Sequence, residues 1–202
     1  MDRKLENILK DLQTLSVRER FDVYLVGGSV RDHFLARPCC DLDLTTHDAP
    51  RLARLFAAGI KKRVVPLDDT PGRETFRVPV GKNFYLDFSE MQGNRIEQDL
   101  SVRDFTINAM ALPIGNFIAG QRQAIDPYGG LKDLKSKTIR ALPGPVLDAD
   151  PLRAIRAFRF AATLGFDIEN GTFKRIVASR AGLQRIAVER ISHELLLLLG
   201  AP

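Results

Sequence analysis

The spacing of apolar residues changes character along this chain, and each change predicts a different element. Leu5, Ile8, Leu9 and Leu12 recur at helical spacing and predict an amphipathic N-terminal helix. Phe21–Val26 reads as a buried strand, broken by Gly27-Gly28 and followed by a helix over Ser29–Leu35. Asp41–Thr46 begins with acid and leucine in alternation, the period-two pattern of a half-buried strand. Arg51–Ala58 suits a helix; Lys62–Pro66, Glu74–Val80 and Phe84–Phe88 suit strands. The turn at Gly81-Lys82-Asn83 makes a hairpin of the last two. Asp104–Ala111 reads as a short helix, Asp126–Gly130 as a turn leading into another at Leu131–Leu134, and Thr138–Leu142 as a final strand. Beyond Pro143-Gly144-Pro145 the pattern is helical: Asp150–Leu164, Asn170–Arg180 and Val188–Leu199, with Gly165 and Gly182 as stops. The expectation is an α+β unit over 1–144, with a small mixed sheet flanked by helices, and an all-helical unit over 145–202.

Composition narrows this only a little. At 202 residues the chain can bury about 70% of its unfolded surface and needs no staple. The longest apolar run, Leu195–Leu199, is too short to span a bilayer, and Met1–Lys10 lacks the apolar stretch of a secretory signal. Cys39 and Cys40 are adjacent, which suits neither an ordinary disulfide nor a zinc site; a reducing cytoplasm is the simplest reading, with Cys40 as core packing. His33, His47 and His193 have no partners at ligand spacing and read as surface or helix-packing residues. The net charge of +5 permits a polyanionic partner without requiring one.

The candidate chemistry lies in Leu25-Val26-Gly27-Gly28-Ser29-Val30-Arg31-Asp32 and in Asp41-Leu42-Asp43. Side chains two apart on a strand share a face, so Asp41 and Asp43 project together and repel unless a cation separates them. Hard oxygen ligands of this kind suit Mg²⁺, which completes its shell with waters and substrate phosphates. Taken alone, an Asp-x-Asp reads more readily as a solvated edge strand. The glycine turn changes the weighting: it lets backbone N–H groups approach a phosphate at a helix N-terminus, and Arg31 adds a bidentate grip. Asp87, on the apolar strand Phe84–Phe88, is either a third carboxylate, completing a two-metal set, or the ion-pair partner of Lys82 or Arg77.

Further blocks follow in order: Arg103-Asp104-Phe105-Thr106-Ile107-Asn108-Ala109-Met110-Ala111, Asp126-Pro127-Tyr128-Gly129-Gly130-Leu131-Lys132-Asp133-Leu134 and Asp150-Pro151-Leu152-Arg153-Ala154-Ile155-Arg156-Ala157-Phe158-Arg159-Phe160. With the two earlier blocks, they make the chain resemble the bacterial-type (class II) tRNA nucleotidyltransferase and poly(A) polymerase family, from Tyr24 to Ile191. The resemblance implies a nucleotidyltransferase head of the DNA polymerase β-like superfamily followed by a helical neck. It implies that Gly28 and Arg31 contact the nucleotide, that Asp41 and Asp43 hold Mg²⁺, and that Arg103 grips the triphosphate. Asp150, Arg153, Arg156 and Arg159 match the block that reads the incoming base and holds its phosphates. The substrates implied are CTP or ATP and the 3′ end of tRNA, or another RNA end in a poly(A) polymerase.

The base-reading role has a physical rationale. An ionised Asp only accepts hydrogen bonds and an Arg only donates them. Cytosine and adenine each offer an amino donor beside a ring-nitrogen acceptor, so one Asp–Arg pair three apart on a helix suits both. Guanine and uracil present the opposite pattern. Arg156 and Arg159 continue the ridge, or form a solvated basic face paired with nearby acids. Asp104 reads as a partner of Arg103 or as a helix cap. Lys174, Arg175, Arg180, Arg185 and Arg190 form a basic stretch suited to RNA phosphates or to solvent alone.

Some positions depart from the family. Val102 stands where many relatives carry a second Arg, and Ala149 where the base-reading block usually has an acid. The segment from Phe88 to Val102 is short, which resembles members limited to CC or A addition. Relatives continue into helical body and tail domains, so the chain is expected to hold the head and neck alone. A nucleotide- or RNA-binding fragment without turnover is the alternative from outside the enzyme class.

Overall fold

Six short strands pair edge to edge: β1 (Tyr24–Val26), β2 (Asp41–Thr46), β3 (Val65–Asp68), β4 (Thr75–Pro79), β5 (Tyr85–Glu90) and β6 (Ala111–Pro113), in the spatial order β3-β4-β5-β2-β1-β6. The computed structural model describes residues 3–38 and 41–201; Cys39 and Cys40, read above as core packing, lie outside them. β2 and β5 run parallel and every other pair is antiparallel, so the sheet is mixed. The predicted hairpin forms between β4 and β5, with the amides of Val80 and Gly81 donating to the Phe84 carbonyl.

The chain divides into two compact units. One holds the chain up to Leu100 together with Met110–Ile125; the other holds Ser101–Ala109 and the chain from Asp126 onward. This differs from a single boundary at 144/145, because segment 126–144 and the 101–109 excursion both belong with the helices.

The first unit also holds helices α1 (Arg3–Glu19), α2 (Gly27–Phe34), α3 (Ala49–Gly59), most of α4 (Ile96–Ser101) and α5 (Ile114–Ile118); α2, α3 and α5 pack on the sheet, and α1 packs on α3 and α5. Leu9 and Leu12 of α1 are fully buried, as their spacing predicted. α3 starts where Asp48 accepts from the Arg51 amide, with Pro50 in the first turn, and it buries Leu52 and Phe56. The Phe56 ring lies 5.8 Å from that of Phe88 in β5; burying each contributes about 2 kcal/mol or more. β6 corrects the helix expected over 104–111. Only Thr106–Asn108 make a helical turn, and Ala111–Pro113 pair with β1 at the sheet edge, where a proline's missing N–H is tolerated.

The second unit contains α6 (Gly130–Lys135), β7 (Thr138–Ile139), α7 (Val146–Ala149), α8 (Leu152–Leu164), β8 (Asp167–Ile168), α9 (Asn170–Ser179) and α10 (Val188–Leu199). The strand expected over 138–142 is two residues long and pairs with β8 rather than with the six-stranded sheet. The helix expected from Asp150 starts at Leu152. Asp150 itself is extended (φ −141°, ψ 95°), because Pro151 excludes helical backbone from the residue before it. Gly165 ends α8 in the left-handed conformation (φ 67°), as expected.

His33, read as a packing residue, lies edge-on to the rings of Phe34 and Phe117, and among the described residues its buried Nε2 has no hydrogen-bond partner. Burial, and then the charge of Arg122, lower its pKa below the ordinary value near 6.5. The unfolded chain therefore binds this proton more tightly, so the His33 contribution is intact above about pH 6.5 and is lost as pH falls through the lower folded value. A chemical-denaturation series from pH 8 to 5 is expected to show falling stability below pH 6.5 that His33→Phe flattens; an unchanged slope in the variant rules this out.

Candidate active site

The residues expected to carry chemistry fall on both units, and each group is built by its own local structure. In the first unit, the pleat of β2 buries Leu42 and Leu44 and turns Asp41 and Asp43 to the opposite face. The parallel register sets Asp43 opposite Asp87 of β5, and the hairpin register sets Asp87 opposite Arg77 of β4. Asp43, Asp87 and Arg77 thus form a row across three strands.

Arg77 forms the ion pair that one of the two readings of Asp87 expected. Its Nε donates to Asp87 Oδ1 at 2.8 Å and its Nη2 to Oδ2 at 2.7 Å, while its guanidinium lies 4.7 Å from the centre of the Tyr85 ring. Asp87 does lie beside the Asp-x-Asp strand, but both its oxygens are engaged by Arg77. Asp41 Oδ2 is 4.0 Å from the same Nη2, and its side chain is half exposed. Among the described residues no group of three or more His, Cys, Asp or Glu is arranged to hold a metal.

Asp43 is fixed by a residue that sequence reasoning missed. Ser29 Oγ accepts from the Asp43 amide at 2.7 Å and donates to Asp43 Oδ2 at 3.2 Å. This couples the carboxylate to the first turn of α2. Gly27 enters that turn at φ 62°, a left-handed backbone that favours glycine. At Gly28 a β-carbon would come 3.3 Å from Arg31 Nη2, so the glycine allows the guanidinium to fold back over the turn. Arg31 makes a two-point contact with Asp32, at 2.9 and 2.8 Å.

In the second unit, Arg103 is half-buried, and its neighbour Asp104 is the anchor of a charged network. Asp104 Oδ1 accepts from the Phe105 amide and from Asn108 Nδ2, and Oδ2 accepts from Arg156 Nε and Nη2 at 3.0 and 2.8 Å. The helical turn at Thr106–Asn108 has no side-chain cap, so the cap role expected for Asp104 is not formed, and its ion-pair partner here is Arg156. Burial alone would raise its carboxyl pKa; the Arg156 charge and these hydrogen bonds outweigh burial and hold it below the ordinary value. Arg156 also donates to Glu194 of α10 at 3.2 Å, and Arg159 donates to the other Glu194 oxygen at 2.6 Å. The Phe160 ring lies against both guanidinium groups, at 5.2 and 4.2 Å. Arg156 and Arg159 are therefore paired with nearby acids, as one reading expected, but as partly buried members of an ion-pair network rather than a solvated face.

Asp150 and Arg153 do not share a helix. Asp150 Oδ1 accepts from the Leu152 amide, and Oδ2 accepts from Arg190 of α10 at 3.0 Å. Arg153 donates to the backbone carbonyls of Arg103, Val146 and Val102. From the basic stretch, Arg175 also donates to carbonyls, those of Leu142 and Gly144. Glu194 was missed. Its signal was a single acid placed just before Leu195–Leu199, where a carboxylate is buried only if paired.

The chain as a whole has counterparts among known proteins. Residues 23–140 match the model of the poly(A) polymerase head domain family. The chain belongs to that family. It is 40% identical over 183 residues to the CC-adding tRNA nucleotidyltransferase of Geobacter sulfurreducens, covering 90% of this chain and 41% of that protein. To the CCA-adding enzyme of Streptococcus suis it is 36% identical over 206 residues, covering 93% of this chain and 49% of that one. A solved complex of a CCA-adding enzyme with ATP matches 100% of this chain and 48% of its own at TM-score 0.88 and 29% identity. The Thermotoga maritima CCA-adding enzyme complexed with tRNA matches with the same score and coverage. The fold of these nucleotidyltransferase heads is thus the fold of this chain, which spans about half the length of the curated relatives it matches.

Proposed function

We propose that this chain carries the nucleotide-handling part of a tRNA nucleotidyltransferase, adding C or A from CTP or ATP to a tRNA 3′ end. The observation that carries this reading is the Asp41–Asp43 pair on one face of β2, with Asp43 tied by Ser29 to the glycine-led start of α2. Relatives named as CC-adding and CCA-adding enzymes support the substrate class.

The donor set fits magnesium. Asp41 and Asp43 offer hard oxygens two residues apart on one strand, and Mg²⁺ binds through one or two carboxylates plus substrate phosphates. When bound, that ion supplies charge stabilisation at phosphate oxygens. Ser29 orients Asp43, and Asp87 acts as the anchor of Arg77 beside the pair. In this reading Gly28 and Arg31 contact the nucleotide, and Arg103 grips the triphosphate. The resemblance assigns base reading to Asp150 and Arg153, which in this structure contact Arg190 and main-chain carbonyls respectively. The reaction is attack of the primer 3′-oxygen on the α-phosphorus with loss of pyrophosphate. No helix among the described residues is long and apolar enough to cross a membrane.

The test is extension of tRNAs ending before CCA, after C or after CC, with Mg²⁺ and each nucleoside triphosphate alone. CTP or ATP is expected to be favoured over GTP and UTP by about tenfold to a hundredfold, the cost of unmatched buried donors and acceptors. Long homopolymer tails would point to the poly(A) polymerase branch of the family. Absence of extension on every RNA, or equal use of all four nucleotides, would overturn the reading.

A further inference from the structure

Arg153 is read above as a base-reading residue, yet its guanidinium is spent on the main chain. Nη2 donates to the Val102 carbonyl at 2.8 Å, and Nη1 donates to the carbonyls of Arg103 at 3.1 Å and Val146 at 3.3 Å. Asp150, its intended partner, is meanwhile held by Arg190 at 3.0 Å. The carbonyls that Arg153 clamps flank the α-carbon of Arg103. The next residue, Asp104, is buried and locked to Arg156. Arg103 is thus fixed on one side by the Arg153 clamp and on the other by a buried ion pair, all within one compact unit. With valine at position 102, half exposed, Arg103 has no arginine beside it in sequence to share a polyphosphate contact there.

Resting on the reading of Arg103 as the triphosphate grip, we propose that Arg153 is a positioning residue for Arg103. By clamping the Val102 and Arg103 carbonyls it presets the phosphate-binding arginine, whatever base the nucleotide carries. The physical basis is pre-organisation: a backbone already held in the binding conformation loses less freedom when the ligand arrives. Arg suits the task because its rigid fork reaches several acceptors at once, which the single ammonium of Lys does not.

A ligand with phosphates and no base separates this role from base reading. Inorganic tripolyphosphate and CTP are titrated separately against the unsubstituted chain, Arg153→Ala, Arg153→Lys and Asp150→Ala, with the melting midpoint of each recorded. Arg153→Ala is expected to weaken tripolyphosphate binding about three- to tenfold, and CTP binding by at least that factor. Arg153→Lys should fall between it and the unsubstituted chain, and serves as the readout if the alanine variant does not stay folded. Asp150→Ala is expected to weaken CTP and leave tripolyphosphate unchanged. Tripolyphosphate affinity unchanged in both Arg153 variants overturns the proposal while leaving base reading intact. Failure of tripolyphosphate to compete with CTP on the unsubstituted chain overturns instead the reading on which the proposal rests.

Discussion

Replacing Asp41 or Asp43 with alanine is expected to cut nucleotide incorporation about a thousandfold or more, the loss that follows when the charge stabilisation at the reacting phosphate is removed. The same variants should fold. Asp41 is half exposed and makes one long contact to Arg77, so its removal costs little stability. The Ser29 Oγ hydrogen bond that Asp43 gives up is worth about 1 kcal/mol, while the bond from its amide to that oxygen remains. The check is a single-turnover extension assay beside a thermal melt. Extension within tenfold of the unsubstituted chain by the Asp41→Ala, Asp43→Ala double variant would remove this pair from the chemistry.

The second large effect is on stability and lies in the other unit. Asp104→Ala is expected to cost about 3 kcal/mol, because it removes the two-point partner of Arg156, leaving that charge its longer contact to Glu194, and takes an acceptor from the Phe105 amide and from Asn108. For a chain of this size that lowers the melting midpoint by about 6–12 °C. The size of the effect reflects the broken pair more than the value of making it. Taking both charges out of water costs nearly what their attraction returns, so the paired state is close to neutral and the half-removed state is poor. Arg156→Met combined with Asp104→Ala should therefore cost less than the sum of the two single changes, which a double-mutant cycle measures. Additive single effects, or a shift under 2 °C for Asp104→Ala, would show that the network carries little.

Much of the first unit was legible in the sequence because its signals are local. The alternation in Asp41-Leu42-Asp43-Leu44 placed the leucines inside and the acids together, and burial of both leucines agrees. The turn at Gly81-Lys82-Asn83 placed the hairpin correctly. Of the failures, one has a local cause and the other does not. Pro151 forbids helical backbone at Asp150, a rule readable from the dipeptide but overridden by the apolar periodicity that follows. Residues 111–113 form a strand only because β1 offers a partner far along the chain, and nothing within three residues announces it.

The candidate site divides in the same way. The type, order and spacing of its charged residues are properties of the sequence, and with them came the fold family and the choice of Asp41, Asp43, Arg103 and Asp150. The partner of each charge is a property of the tertiary structure. Asp87 meets Arg77 because β4 and β5 pair in one register, and a shift of one residue would turn it to the other face. Arg156 and Arg159 meet Glu194 because α10 folds back against α8, and Arg153 reaches the carbonyls of residues 102 and 103 across about fifty positions of chain. Spacing along an element sets which side chains share a face. Only the packing of one element on another, with its requirement that each buried charge find a counter-charge, decides which of them meet.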